Sequence, residues 1–337
     1  MESNLRPMTL SEILDRTAQL YRENFQLFAG IFSLYAAVTL VFGLLQIGLG
    51  VVLQQHDMTK QLLWVTITVG GVGILALFLL YGAAAAAISR AVAWVHLGEP
   101  ATIQGAYRSI LPRLGRYLWL MTVTAFVVYL PLALLYGGFF GLLLYKGLAQ
   151  GAQKGAAIDP HTAATVAIAG LIFFVLLIPV GIYTVIMSLR YSLALPACVV
   201  EDLKATKALR RSVDLSKGAK GRIFVLGLLV AALKIGLVLF TQLFLFVSII
   251  KHQGQVSPLT NTISQIISFF TTSFLGPILA TGLTLFYYDQ RVRKEGYDIE
   301  WMMQAAGLTP PALAASSEIV PEVADDEPDA SNTGESA

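Results

Sequence analysis

The stretch Leu285–Gln304, LFYYDQRVRKEGYDIEWMMQ, decides how this chain is read. It begins as the end of a long apolar run. Within a few residues of the tyrosine pair it holds Arg291, Arg293 and Lys294, then Gly296, then a short acidic and aromatic segment. An apolar run that stops at a cluster of cations reads as a helix leaving a bilayer on the side that retains positive charge. On that reading Phe286, Tyr287 and Tyr288 form an interfacial aromatic belt, the three cations hold this end of the span in place, and Gly296 ends the helix.

The composition agrees. Of 337 residues, 56% are hydrophobic and only 13% charged, against about 25% charged in a soluble domain. Too little polar side chain is present to cover a water-soluble shape, so lipid is the solvent for most of the chain. A spanning helix needs about 20 mostly apolar residues. Six stretches qualify: Phe25–Leu53, Leu62–Ala93, Leu118–Tyr145, Thr162–Leu189, Ile223–Ile250 and Thr262–Tyr288. Several are longer than the bilayer is thick and must tilt or project into water. The one cysteine, Cys198, excludes an internal disulfide and a cysteine-based metal cluster. The N-terminal MESNLRPMTLSEILDR has no short apolar core ending in small residues, so no cleaved signal is expected.

Cation placement sets the orientation. Of the 23 Lys and Arg residues, eighteen fall in the N-terminal segment, the loops after the second and fourth spans, and the C-terminal exit. The alternate loops hold four, namely Lys60, Lys146, Lys154 and Lys251, and Lys234 lies inside a span. This asymmetry predicts that both termini lie in the cytoplasm.

The basic segments resemble one another. TLSEILDRTAQLYRENF opens with Thr9 and has Glu12 three residues on, a capping-box pattern. Leu10, Ile13, Leu14, Ala18, Tyr21 and Phe25 then share one helical face. TIQGAYRSILPRLGRY sets Ile103, Ala106, Tyr107, Ile110 and Leu114 against Arg108, Arg113 and Arg116, with Pro112 bending or ending the helix. LKATKALRRSVDLSKGAKGR sets Ala205, Ala208, Leu209 and Val213 against Lys207, Arg210, Arg211 and Lys217. Each reads as an amphipathic helix in the inner interface. Each precedes two spans, and the second span of each pair exits at an arginine: Arg90, Arg190 or Arg291. The fold expected is all-α, with six transmembrane helices arranged as three units of interfacial helix plus hairpin. Residues 1–24 would be a cytoplasmic segment with an amphipathic helix, and residues 25–305 the membrane domain. Residues 306–337, acidic and rich in proline, cannot bury enough apolar area to fold and read as a disordered cytoplasmic tail.

Signs of catalysis are sparse. No carboxylate falls inside a span, which disfavours an ion-driven carrier. No Gly-x-Ser-x-Gly, P-loop or His-Glu-x-x-His motif occurs. His56, His161 and His252 fall one in each outer loop, near Asp57 and Asp159; a metal site among them is the weaker reading and ordinary loop histidines the stronger. Lys234 stands twelve residues after Arg222, about 18 Å along a helix, where insertion costs roughly 2.5–3.5 kcal/mol. It could snorkel inward, pair with Thr271, Thr272 or Ser273, or meet an anionic substrate or lipid phosphate.

LRPMTLSEILDRTAQLYRENF (5–25), ALRRSVDLSKG (208–218) and LFYYDQRVRKEGYDIEWM (285–302) together resemble the polytopic membrane domain attached to some bacterial glycerophosphodiester phosphodiesterases. The resemblance covers Leu5 to Met303. It implies a six-span helical domain of the cytoplasmic membrane, and it brings no enzyme, because no soluble stretch here is long enough for the catalytic barrel. The function expected is a non-catalytic module that organises partners or lipid, with no cofactor, no metal and no nucleic-acid partner. Its candidate contacts to lipid or partner are Lys207, Arg210, Arg211, Lys217 and Lys234, and anionic head groups at the inner face are the expected ligands. The alternative is a transporter or channel with its path between the hairpins.

Overall fold

A computed structural model describes residues 6–55, 60–151, 160–251, 258–297, 299 and 303. It is all-helical among those residues. Six helices are long and apolar enough to cross a membrane. They form three hairpins: α2 (Phe25–Gln55) with α3 (Lys60–His96), α5 (Leu114–Gly151) with α6 (Pro160–Tyr191), and α9 (Lys220–Lys251) with α10 (Pro258–Glu295). Each expected span lies inside one of them, and most run a turn or more further. The multi-pass membrane reading therefore stands.

Three short helices precede the hairpins: α1 (Leu10–Glu23), α4 (Ile103–Ile110) and α8 (Ala205–Ser216). Thr9 caps α1 in a full capping box: its hydroxyl accepts from the Glu12 N–H, and Glu12 accepts from the Thr9 N–H at 2.6 Å. Thr102 caps α4, accepting from the Gly105 N–H at 3.0 Å. Lys204 takes the same extended backbone before α8 without a side-chain cap. Thr9, Thr102 and Lys204 each open a short helix that is followed by a hairpin, so the threefold order of elements is present in the coordinates as well as in the sequence. Pro112 lies in a 3-10 turn (Leu111–Arg113) that joins α4 to α5.

Residues 1–295 form one compact unit and residues 296–337 another. α10 occupies the middle of the first, packed along α2 and flanked by α9 and α3. This corrects the aromatic belt. Phe286, Tyr287 and Tyr288 are all but fully buried, because the exit of the third hairpin is the centre of the bundle and not its rim. Where α10 meets α2 the approach is close: a Cβ on Gly276 would stand 2.3 Å from the Phe32 ring. Small residues at such crossings are how membrane helices gain contact without a hydrophobic driving force. The far halves of α5, α6 and α9 leave Leu134, Phe174, Ile178 and Phe240 exposed, as lipid-facing side chains should be.

The apolar faces of the short helices dock onto protein. Ile13, Thr17 and Leu20 of α1, Ala106 and Ile110 of α4, and Ala205, Ala208, Ser212, Leu215 and Ser216 of α8 are buried. In α8 this face is rotated from the expected one: Leu209 and Val213 are half-buried, while two serines point inward. Sequence periodicity also misses α7 (Ala194–Val200), about two buried turns beginning just past Tyr191. From Gly296 on, the described residues are Gly296, Tyr297, Ile299 and Met303; Gly296 has a positive φ of 64° and ends α10 as expected, and the Ile299 N–H donates to the Gly296 carbonyl at 2.9 Å. The expected acidic tail lies outside the described residues.

Proline breaks in lipid require a donor from elsewhere. Pro131 sits inside α5 and cannot donate to the carbonyl of Val127, four residues earlier. The Tyr183 hydroxyl of α6 donates to that carbonyl at 3.0 Å. Tyr183 and Pro131 should therefore be thermodynamically coupled. Tyr183→Phe is expected to lower stability in detergent by about 1 kcal/mol, and the loss should vanish in a Pro131→Ala background, where the backbone satisfies Val127 itself. Equal losses in both backgrounds, read by a double-mutant cycle, would show the bond to be incidental.

Candidate functional site

The bundle end that carries α1, α4, α7 and α8 gathers nearly all the described charge, and several of its carboxylates are bound internally. Asp289, on α10, is fully buried at its side chain. It accepts from the Met8 N–H at 2.8 Å, from Arg222 of α9 at 3.2 Å, from Arg293 at 3.0 Å and from Gln290 at 3.0 Å. Arg222 and Arg293 each also donate to the Met8 carbonyl at 2.6 Å. The segment before α1 is thus clasped to the third hairpin.

Glu201, at the end of α7, accepts from the Tyr287 hydroxyl at 2.6 Å and from Arg211 Nε at 2.9 Å. Arg211 reaches on to Glu295 at 2.7 Å, which also accepts from Arg291 at 3.2 Å. Burial disfavours the Arg211 charge, but its bonds to Glu295 and Glu201 outweigh that and hold the guanidinium more firmly protonated. Asp202 has a positive φ of 57°, and Arg113 and Arg116 of the second unit hold its carboxylate. Asp tolerates the left-handed region better than most residues. Lys294 donates to the carbonyls of Asp214, Leu215 and Lys217 at 2.7–3.0 Å, closing the C-terminus of α8.

The two inward serines have a local reason. α6 stops at Tyr191, leaving backbone groups to satisfy in a buried place. The Ser212 hydroxyl donates to the Arg190 carbonyl at 2.9 Å and accepts from the Leu193 N–H at 3.2 Å.

The sequence-predicted contacts divide. Lys207 and Arg210 are exposed on α8 and form no ion pair among the described residues. Arg22, Arg108, Lys204 and Lys220 are in the same state. Exposed Asp15, Glu23 and Glu99 are the carboxylates at this end that no cation holds among the described residues. Arg211 is committed to Glu201 and Glu295, and Lys217 bonds Asp214 at 2.8 Å. Lys234 is half-buried in α9, and none of its hydrogen bonds falls on Thr271, Thr272 or Ser273 among the described residues. His56, Asp57, Asp159 and His252 lie outside the described residues, so the outer-loop assembly has no geometry to report. Among the described residues no group of His, Cys, Asp or Glu is placed to hold a metal.

The sequence reading missed Asp289, Glu201 and Asp202 as organising groups, although Asp289 lies four residues before Arg293, the spacing of a helical ion pair. It also missed a cavity of about 430 Å³ between α3, α5, α6, α9 and α10, lined among others by Tyr81, Thr124, Tyr191, Gly227 and Leu283.

The chain belongs to the family described as a domain of unknown function, DUF7847, whose model matches residues 99–290. The match runs from just before α4 to the residue after Asp289, and so takes in the Glu201, Asp202 and Arg222 contacts. No curated protein and no solved structure matches the chain.

Breaking a buried ion pair from one side costs about 3–5 kcal/mol. Asp289→Asn should therefore lower the thermal midpoint in detergent sharply, whereas Asp214→Asn, which removes an exposed pair, should leave it nearly unchanged. Equal midpoints for the two variants would remove Asp289 from the centre of this end.

Proposed function

We propose that the protein is a non-catalytic multi-pass module of the cytoplasmic membrane, with both termini in the cytoplasm, whose basic end gathers anionic lipid head groups. One observation carries this reading. Carboxylates that chemistry at this end would need, namely Glu201, Asp202, Asp289 and Glu295, are held in ion pairs with arginines. Six cations on α1, α4, α8 and the start of α9 stay exposed and unpaired among the described residues. Each such Lys or Arg near an anionic leaflet contributes about 1 kcal/mol of attraction. The resemblance to phosphodiesterase membrane domains supports the same reading, as a likeness of the membrane part alone.

The cavity between the hairpins favours a second reading, a carrier with its path there. Lys234 separates the two. Ile223 and Gly227 line the cavity, and Lys234 follows Gly227 by seven residues on the same α9 face, about 10 Å further along. In the module reading Lys234→Met leaves both stability and the growth or lipid phenotype intact. A stable Lys234→Met variant with a null phenotype would promote the carrier.

Two measurements test the proposal itself. Cysteines placed at Asp57, Asp159 and Gln253 should react with an impermeant reagent in intact cells, and one at Asp326 should not; labelling at Asp326 would overturn the orientation. Replacing Lys204, Lys207 and Lys220 with glutamine should reduce the anionic lipid that co-purifies while insertion holds. Unchanged anionic lipid would contradict the head-group role and leave these cations a purely topological one.

A further inference from the structure

The cavity inside the bundle has a chemistry of its own. Along α5 its wall runs from Met121 to Tyr129, roughly 12 Å of helix. Among the described residues no charged side chain lines it. At about 430 Å³ it falls within the range of small-ligand sites, about 300–1,000 Å³. An adjoining pocket of about 140 Å³ shares Tyr81, Thr124, Tyr191 and Leu283 with it and is floored by Ala194, Leu195 and Pro196 at the start of α7. α7 packs on α3 and α5.

The polar atoms in the wall are hydroxyls. Thr124 Oγ1 is buried with no hydrogen-bond partner. The hydroxyls of Tyr81 and Tyr191 donate to no group among the described residues. A buried donor without an acceptor is costly in an apolar medium, and a ligand carbonyl would supply the acceptor. Tyr191 also lines a second space, of about 280 Å³, with Arg190, Arg210 and Asp214 at the junction of α6 and α8. There Arg190 Nε is buried without a partner, while the Asp214 carboxylate is held by Lys217 at 2.8 Å. Hydrogen bonding to Lys217 keeps the Asp214 carboxyl below its usual range, so Asp214 stays paired and does not neutralise the arginines.

We infer that the two spaces together bind one membrane phospholipid. Its acyl chain lies between α5 and α10, its ester carbonyl accepts from Thr124 and the neighbouring tyrosines, and its phosphate meets Arg190 and Arg210. Apolar walls, donors at the level of an ester and cations at the level of a phosphate follow the order of groups along such a lipid. The site goes beyond the surface role proposed above: of the six surface cations only Arg210 lines it, and Lys204, Lys207 and Lys220 do not.

Gly227 gives a clean probe. A Cβ there meets nothing within 4 Å, and Gly227 lines the cavity, so Gly227→Leu puts a side chain where the acyl chain would lie. The full-length protein is incubated with vesicles of phosphatidylethanolamine and phosphatidylglycerol, purified in detergent, and its retained lipid is read by native mass spectrometry. The wild type should carry one phospholipid through delipidation. Gly227→Leu should cut retention about tenfold, and Arg190→Gln should do so preferentially for phosphatidylglycerol. The variant with Lys204, Lys207 and Lys220 changed to glutamine should keep the lipid, which separates this site from the surface cations. Should Gly227→Leu fail to fold, Thr124→Val, which keeps the volume and removes the hydroxyl, takes its place with the same expectation. A wild type that retains no lipid, or cavity variants that retain as much as it does, would overturn the site; full retention of phosphatidylglycerol by Arg190→Gln would overturn the phosphate placement.

Discussion

A carboxylate taken fully out of water is tolerable only when every lone pair is answered. Asp289 meets that condition with donors from Met8, Arg222, Arg293 and Gln290. Those donors come from the segment before α1, from α9 and from α10. One buried charge therefore joins the start of the first unit to the hairpin of the third. Arg222 also lies 5.1 Å from the centre of the Phe286 ring, so the same guanidinium covers an aromatic face that would otherwise be open. With α10 fixed at both neighbours, its last turns become core, and Tyr287 and Tyr288 are buried with them. The Glu201–Arg211–Glu295 and Asp202–Arg116 contacts extend the same logic to the second unit.

Lipid imposes a second constraint, which tyrosines meet repeatedly. Tyr21 of α1 donates to the Phe274 carbonyl at 2.6 Å, Tyr107 of α4 to the Ile31 carbonyl at 2.7 Å, and Tyr183 of α6 to the Val127 carbonyl at 3.0 Å. Each bond runs from one helix to the backbone of another. A tyrosine suits the task, since its ring packs in apolar surroundings while its hydroxyl reaches a carbonyl. Two of the three come from the short helices, so these elements are bolted to the spans as well as lying across their ends. Burial of Tyr21 pushes its hydroxyl up to about 12, which keeps it a donor at any ordinary pH.

The spans were legible in the sequence because length and apolarity alone decide them. The start of α1 was legible because Thr9 and Glu12 form a capping-box pattern in the sequence. Contacts between elements far apart in the chain were not. Nothing near Tyr287 in sequence says that α10 will pack against α2, α3 and α9, so an aromatic strip beside cations read as a rim. The inward turn of Ser212 and Ser216 was not legible either, because it answers unsatisfied backbone groups at the end of α6, far away in the chain. Lys207 and Arg210 read correctly as exposed cations, while Arg211 beside them was taken up by Glu201 and Glu295, two residues that periodicity does not bring near it. The cavity was invisible for the same reason: five helices each give it a few unremarkable side chains.

The central claim is that Asp289 pins the backbone at Met8 and so closes the first unit onto the third. Residue-level hydrogen exchange of the Met8 amide, in the full-length protein in lipid nanodiscs, tests it most directly. The account predicts exchange as slow as that of the α10 amides around Asp289. Exchange at the rate of an unstructured peptide would contradict it.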